Sequence, residues 1–402
     1  MSNFLFRKSF LRIFSLLCFL LILFSWSFPV LALEESTSSN TQTETSFHVD
    51  APCALLMEAS TGTVLFEQAA DEERAPASVT KVMTLLLIFD ALASGQISLN
   101  DTVSVSEHAS SMGGSQVFLE TGETQTVETM IKCIAVASGN DAAVAMAEYI
   151  SGSEEAFVSK MNARAKELGM AHTHFINCCG LDAEGHYTSA RDIALMSREL
   201  TTSYPAIFDY TTIWMENITH VTIRGSSEFG LTNTNKLIRQ YDGATGLKTG
   251  STSKAGFCLS ATATKNDISL IAVVMGCSSS KVRIAATSAL LDYGFSICHI
   301  FTDENPPVLS PVSVRQGAVD TISCEYDKTF SYVATQDFDA SKIKRKLRWN
   351  KNITAPLKKG DAVGELIYYY DSKKLGSIFV MAKESVKKAT YFDYFRKLVA
   401  SL

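Results

Sequence analysis

The sequence predicts an α+β fold followed by a small all-β domain, and three observations carry that prediction. A hairpin pattern stands near the start, Cys53 to Glu58 and Val64 to Glu67 around the turn Ala59-Ser60-Thr61-Gly62. Helical patterns fill the middle, and alternating apolar strands return at Phe257 to Ala263 and Ile268 to Met275, joined at Asn266-Asp267. The order strand, helices, strand, helix suits one antiparallel sheet flanked by helices, with a helical subdomain, better than a parallel βαβ array. After about Phe301, Pro306-Pro307, Pro311 and short strand-like runs mark the second domain.

Local chemistry justifies each element in turn. Pro76, with its fixed φ, opens a helix whose apolar stripe is Val79, Val82, Met83, Leu86 and Leu87, and Ser94-Gly95 ends it. Val127 to Ala137 and Asp141 to Tyr149 read as helices joined at Ser138-Gly139-Asn140, where Asn140-Asp141 also suits a helix cap. Lys281 to Phe295 is a further helix packing on the sheet. In the second domain Val312 to Arg315, Thr321 to Cys324, Phe330 to Ala334, Ala362 to Tyr370 and Ser377 to Ala382 read as strands, with Lys358-Lys359-Gly360-Asp361 a turn. The cations Lys342, Lys344, Arg345, Lys346 and Arg348 suit a solvated strand surface, or a face toward anionic wall polymer or lipid.

At 402 residues and 46% hydrophobic content, the chain can fill two domains. A net charge of −6 leaves no footprint for nucleic acid. Neither a P-loop nor a dinucleotide glycine pattern is present, so no cofactor is expected.

Chemistry concentrates in three strings. Ser-x-x-Lys begins at Ser78, Ser251, Ser278, Ser341 and Ser385, and Ser78 is singled out by the buried apolar stripe of the helix it opens and by the two later strings. Residues three apart on a helix have Cβ atoms about 5–6 Å apart, so the Lys81 amine can reach the Ser78 hydroxyl. Serine is a poor nucleophile until a base takes its proton, and lysine is such a base when burial or a neighbouring cation such as Lys248 depresses its pKa. The Ser78 amide, in a first helical turn, is a candidate arm of an oxyanion hole.

Lys248-Thr249-Gly250 falls on a strand: Gly250 admits close approach of another backbone, Lys248 can bind a carboxylate, and the Ser251 amide is the second candidate arm. Ser138 and Asn140 offer a hydroxyl to relay a proton and an amide to hold a substrate amide. The candidate catalytic residues are therefore Ser78, Lys81, Ser138 and Asn140, and the candidate substrate-binding residues are Lys248, Thr249, Gly250 and Ser251.

With these strings in this order, the chain resembles the penicillin-binding-protein and serine β-lactamase superfamily. It looks more narrowly like a low-molecular-mass D-alanyl-D-alanine carboxypeptidase. The supporting phrases are Ala77 to Thr84, Ala137 to Ala143, Gly185-His186-Tyr187-Thr188-Ser189-Ala190-Arg191-Asp192, and Tyr241 to Thr252, within a similarity running from about Val49 to the C-terminus. The resemblance implies a β-lactamase/transpeptidase-like catalytic domain and a C-terminal β-sandwich that holds it off the membrane. It also implies that Ser78 forms the acyl-enzyme with Lys81 as acylation base. Ser138 and Asn140 would line the second wall, and Lys248 and Thr249 would bind the terminal carboxylate of a peptidoglycan stem peptide ending in D-Ala-D-Ala. Penicillins and other β-lactams would enter as acylating mimics, and a monomer is expected.

Two competing readings share this site. A class A β-lactamase needs a Glu-x-x-x-Asn phrase between the second and third strings, and no Glu between Asn140 and Lys248 is followed by Asn four positions later. A catalytically silent penicillin-binding sensor would not need all three strings intact. Metal-dependent peptidase chemistry is not expected: His172-x-His174 near Cys178-Cys179 reads as a loop with incidental histidines, and His186 as structural.

The ends and the cysteines set the location. Residues 1–32 read as a signal peptide, with Arg7, Lys8 and Arg12 before the apolar run Ile13 to Phe28 and a cleavage site at Val30-Leu31-Ala32; an uncleaved anchor is the alternative. Residues 33–47 read as a flexible leader, 48–299 as the catalytic domain, 300–384 as the all-β domain and 385–402 as an amphipathic helix. In that tail Tyr391, Phe392, Phe395, Leu398, Val399 and Leu402 recur at helical spacing beside Lys387, Lys388, Arg396 and Lys397. Peripheral attachment to the outer face of the cytoplasmic membrane is expected, with docking on the β domain as the alternative. Cys53, Cys133, Cys178, Cys179, Cys258, Cys277, Cys298 and Cys324 are irregularly spaced and read as small buried hydrophobes rather than a disulfide framework.

Overall fold

A computed structural model describes residues 47–400, so the expected signal peptide, nearly all of the leader, and Leu402 lie outside the described residues. Strands β1 (Cys53–Glu58) and β2 (Val64–Gln68) form the first hairpin. Every residue of β1 is buried, which explains its unbroken apolar run. Glu58 closes the strand as a buried carboxylate satisfied by the backbone N–H and hydroxyl groups of both Ser60 and Thr61.

The middle of the chain supplies helices α1 (Lys81–Ala93), α2 (Val127–Ala135), α3 (Asn140–Ser151), α4 (Glu154–Glu167) and α5 (Ala190–Ser203). Thr126, Ser153 and Ser189 cap α2, α4 and α5 through their side-chain oxygens, each cap being worth about 1 kcal/mol. Leu85, Leu86 and Ile88 of α1 are fully buried, and each such side chain contributes about 1.5–3 kcal/mol of transfer free energy. That anchors the helix carrying Lys81 in the centre of the domain.

Two small antiparallel pairs interrupt the expected helical subdomain. These are β3 (Thr102–Ser104) with β4 (Thr124–Thr126), and a longer hairpin of β5 (Met215–Thr222) and β6 (Gly225–Thr232). The second pair is exposed along most of both strands, so it lacks the apolar alternation by which buried strands are recognised.

Strands β7 (Ala244–Thr252), β8 (Gly256–Lys265) and β9 (Ile268–Cys277) complete a five-stranded sheet ordered β2-β1-β9-β8-β7. Asn266 and Asp267 both take positive φ, the two-residue hairpin turn that matches strand twist. The long helix α6 (Ser280–Ile297), capped by Ser279, packs on β9 and β8. Strand β7, which carries Lys248 to Gly250, is an edge of this sheet, so one side of its backbone is open to other partners.

Strand β10 (Cys298–Thr302) continues directly from α6 and pairs with β14 (Ser331–Thr335), so His299 lies inside a strand that joins the C-terminal domain. Strands β11 (Val312–Ser313) and β12 (Thr321–Ile322) pair with each other. A four-stranded sheet ordered β13-β17-β16-β15 comprises β13 (Cys324–Tyr326), β15 (Ile343–Trp349), β16 (Ala362–Tyr370) and β17 (Lys373–Ala382). The basic run therefore lies on β15, where Arg345 donates to buried Asp303 at 2.7 Å and Arg348 pairs with Glu365 at 2.7 Å. Val386 and Lys388 still bridge to Leu357 and Gly317, so the terminal helix α7 (Tyr391–Ala400) begins later than 385. All eight cysteines from Cys53 on are free thiols, and all but Cys324 are buried.

Candidate active site

Ser78 sits in a single 3-10 turn, Ala77–Thr80, which runs into α1 at Lys81. Ala77 takes φ +48°, a left-handed conformation costing a non-glycine residue about 1–3 kcal/mol, so the turn is held under strain by its surroundings. Two glycines make the room. At Gly180 (φ +85°) a Cβ would lie 1.8 Å from the Ala77 carbonyl oxygen, and at Gly250 one would lie 2.8 Å from the Ser78 nitrogen. Only residues without side chains let the 180 loop and edge strand β7 close on the turn from two sides.

Lys81 is fully buried, and its Nζ lies 3.1 Å from Ser78 Oγ, 2.5 Å from Asn140 Oδ1 and 2.7 Å from the Cys179 carbonyl oxygen. Burial pushes its pKa below the ordinary lysine value, against the opposing influence of Cys179, Cys178 and Asp141. A free amine has two N–H groups and one lone pair. The two short contacts accept the N–H groups, leaving the lone pair for the Ser78 O–H. Asn177 builds the loop that supplies the Cys179 carbonyl, its Oδ1 accepting from the N–H groups of Cys179, Gly180 and Leu181.

The second wall differs in detail from the sequence reading. Asn140 was expected to offer its amide to substrate, but Oδ1 serves Lys81 and Nδ2 donates to the Gly113 carbonyl at 2.6 Å. Both ends are engaged within the protein, so Asn140 orients the amine. Ser138, held at φ +63°, lines the cleft, and its buried hydroxyl has no partner among the described residues. That leaves it available to a bound molecule.

Lys248 is also buried, donating to the Thr249 carbonyl at 3.0 Å. Burial pushes its pKa well down, and the neighbouring cations Lys81 and Arg283 add to the effect. The cation lining the cleft itself is Arg283 of α6, which the sequence reading missed. It donates to the Gly250 and Cys258 carbonyls at 3.4 and 3.3 Å, and its buried Nε has no partner among the described residues. No local pattern marks Arg283; it reaches the cleft because α6 packs across β8 and β9. Thr249 hydrogen-bonds Thr234 at 2.8 Å, and Ser251 is exposed at the rim.

Together Ser78, Ser115, Ser138, Thr234, Thr249 and Arg283 line a cavity of about 180 Å³. A larger space of about 480 Å³ lies by Ser60, Tyr332 and Lys374, but it collects no nucleophile with a base and is not the catalytic cleft. His186 is structural in its contacts: Nδ1 accepts from the Ile176 N–H at 3.0 Å and Nε2 bonds Thr80 Oγ1 at 2.9 Å. His172 faces Glu73 and His174 bonds the Gly185 carbonyl. Glu154, Cys178 and Cys179 place ligand-type atoms within 4.8 Å of one another, but both Glu154 oxygens already accept hydrogen bonds.

Comparison with known proteins places this geometry. The pattern of the D-alanyl-D-alanine carboxypeptidase family matches residues 38–279. The chain belongs to that family of serine peptidases. The C-terminal domain of penicillin-binding protein 5 matches residues 300–388. D-alanyl-D-alanine carboxypeptidase DacF of Bacillus subtilis is 44% identical over 350 residues, 87% of this chain and 89% of the relative. DacA of Escherichia coli is 34% identical over 358 residues, 86% and 85% of the two chains. Among solved structures, penicillin-binding protein 3 of Streptococcus pneumoniae aligns with a TM-score of 0.72 at 27% identity, covering 85% of this chain and all 100% of that one. Penicillin-binding protein 5 of Haemophilus influenzae aligns at 0.63 and 29%, covering 85% and 99%. The α+β catalytic fold with a family C-terminal domain is that expected from the sequence.

Proposed function

We propose that this enzyme removes the terminal D-alanine from peptidoglycan stem peptides ending in D-Ala-D-Ala, through an acyl-enzyme on Ser78. The observation that carries the reading is the fully buried Lys81 amine, 3.1 Å from Ser78 Oγ. As a free amine Lys81 takes the Ser78 proton while Oγ attacks the penultimate carbonyl. The amides of Ser78 and Ser251 receive the oxyanion, and Ser138 relays the proton to the departing D-alanine. Arg283 and Thr249 hold the terminal carboxylate, which lies one residue beyond the bond that breaks, and the buried Lys248 sits behind Thr249, donating to its carbonyl. Gly250 keeps the edge of β7 against the Ser78 turn, so a substrate backbone can lie along it. Water then hydrolyses the ester. Penicillins acylate the same serine.

The wider proposal is export by residues 1–32, a leader over 33–47, a catalytic domain over 48–299, an all-β domain over 300–384, and peripheral attachment of a monomer to the outer face of the cytoplasmic membrane through the apolar side of the tail. Among the described residues no helix is long and apolar enough to cross a membrane. The test compares wild type with Ser78→Ala, using labelled penicillin and a peptide ending in D-Ala-D-Ala. Stable labelling and D-alanine release, both lost in the variant, support the proposal. Rapid penicillin turnover favours a β-lactamase, and labelling without D-alanine release favours a silent sensor.

A further inference from the structure

Resting on that reading, we infer that the groove between the 113–120 loop and the β5–β6 hairpin is the subsite for the stem peptide upstream of the scissile bond, with Phe118 as its aromatic wall. Phe118 is 65% exposed and takes φ +62°, a conformation that bulky residues rarely adopt. Its neighbours Val117 and Leu119 are buried, and their N–H groups both donate to the buried Asp141 carboxylate, at 3.0 and 3.1 Å. The backbone is thus clamped on either side in a way that turns one aromatic ring outward. Strain of this kind, held in place by its surroundings, clusters at ligand clamps and active sites.

The ring faces a cavity of about 350 Å³ shared with Glu120, His220, Arg224 and Phe229, with Phe118 and Phe229 edge to face at 5.8 Å. The far wall is fixed to the domain before any ligand arrives. Gln125 Nε2 donates to the Thr219 carbonyl at 2.9 Å, Lys132 pairs with Glu216 at 2.7 Å, and His220 Nδ1 bonds buried Glu123 at 2.8 Å. Nε2 of His220, a residue only 7% exposed, has no partner among the described residues. It is a built polar group waiting for one.

Both walls run into the catalytic cleft. Ser115, a cleft residue whose carbonyl accepts from the Asn140 N–H at 2.8 Å, stands three positions before Phe118, and β6 ends just before Thr234, another cleft residue. Extended chain advances about 3.3 Å per residue, so residues two and three before the leaving D-alanine reach about as far as Phe118. A peptide with an aliphatic side chain there would lay its stem on Phe118 and offer a backbone group to His220 Nε2.

The test measures D-alanine release from a full pentapeptide stem and from a short acylated D-Ala-D-Ala, and compares the long-to-short ratio of kcat/KM. In Phe118→Ala the ratio is expected to fall about three- to tenfold, and Phe118→Tyr, which keeps the ring, restores it. A ratio unchanged in Phe118→Ala, whether both substrates slow together or neither does, overturns the subsite and leaves the carboxypeptidase reading intact. Wild-type enzyme that releases D-alanine from neither peptide overturns that reading and the subsite with it. Labelled-penicillin uptake checks that the variant's cleft is formed; if Phe118→Ala does not label, Phe118→Leu carries the same comparison.

Discussion

Lys81 has three oxygen neighbours and no solvent, and this combination decides its chemistry. Hydrogen-bond acceptors favour the ammonium form, burial opposes it, and the net direction is downward. Acylation therefore rises with pH to a plateau, with its inflection below the usual lysine value of about 10.4. The rate of penicillin labelling across pH measures this, and a rate that falls as pH rises through the range would contradict it. Lys81→Met should slow labelling by about 10²–10⁴-fold and remove the pH limb, as the proposed role of Lys81 as general base requires. Arg283 acts differently, on binding rather than on proton transfer. Arg283→Gln should raise KM for a D-Ala-D-Ala peptide about tenfold with a smaller change in kcat, as loss of an interaction made equally in ground and transition states does.

At the scale of elements, the site is a seam between a helical turn, an edge strand and a loop, and its tolerances are those of backbone packing. In Gly250→Ala the new methyl would stand 2.8 Å from the Ser78 nitrogen and 2.9 Å from that of Val79. The strand must retreat, at a cost of about 1–3 kcal/mol in stability. Labelling should slow while β7 remains paired with β8, which melting curves and labelling rates together resolve. The loop from Ile176 to His186 is pinned by a histidine that must stay neutral, because its Nδ1 accepts a backbone N–H. Burial is the main cause holding the His186 pKa down at about 4, against about 6.5 in an unfolded chain. Between those values the unfolded state binds more protons, so stability is fully present above pH 6.5 and is lost as pH falls toward 4. The loss is on the order of 3 kcal/mol. Denaturant melts over that range should show the slope, and it should flatten in His186→Phe.

Over the whole molecule, chain order brings distant segments into one cleft: Ser78 by the turn before α1, Ser138 by the α2–α3 junction, Thr249 by β7 and Arg283 by α6. The C-terminal domain is fastened by β10 pairing with β14 and by buried Asp303, which accepts from Arg345 and Tyr368 at 2.7 and 2.8 Å. Beyond it α7 leaves Tyr391, Phe392, Phe395, Leu398 and Val399 exposed, while Lys397 turns back to the Gly317 carbonyl and Asp320. A helix with that apolar side suits a lipid interface. Deleting residues 391–402 should move the processed protein from the membrane fraction to the soluble one; continued sedimentation with membranes would refute the anchor.

The hairpin at Cys53, the turn after Pro76 that runs into α1 at Lys81, the strands around Asn266-Asp267 and the three strings that flank the cleft were legible because each rests on local periodicity or turn chemistry. The β5–β6 hairpin was not, since its mostly exposed strands carry no burial pattern, and Arg283 was not, since nothing within its own helix distinguishes it from a surface cation. By itself the sequence determined the family and the placing of Lys81 within reach of Ser78, because those depend on local strings and on spacing within a turn. Only tertiary structure decided that Asn140 hydrogen-bonds Lys81 and the Gly113 carbonyl, that Arg283 rather than Lys248 lines the cleft, and that Phe118 faces outward. Those outcomes depend on which segments pack together, and burial and hydrogen-bond partnership across long sequence separation leave no trace in local pattern.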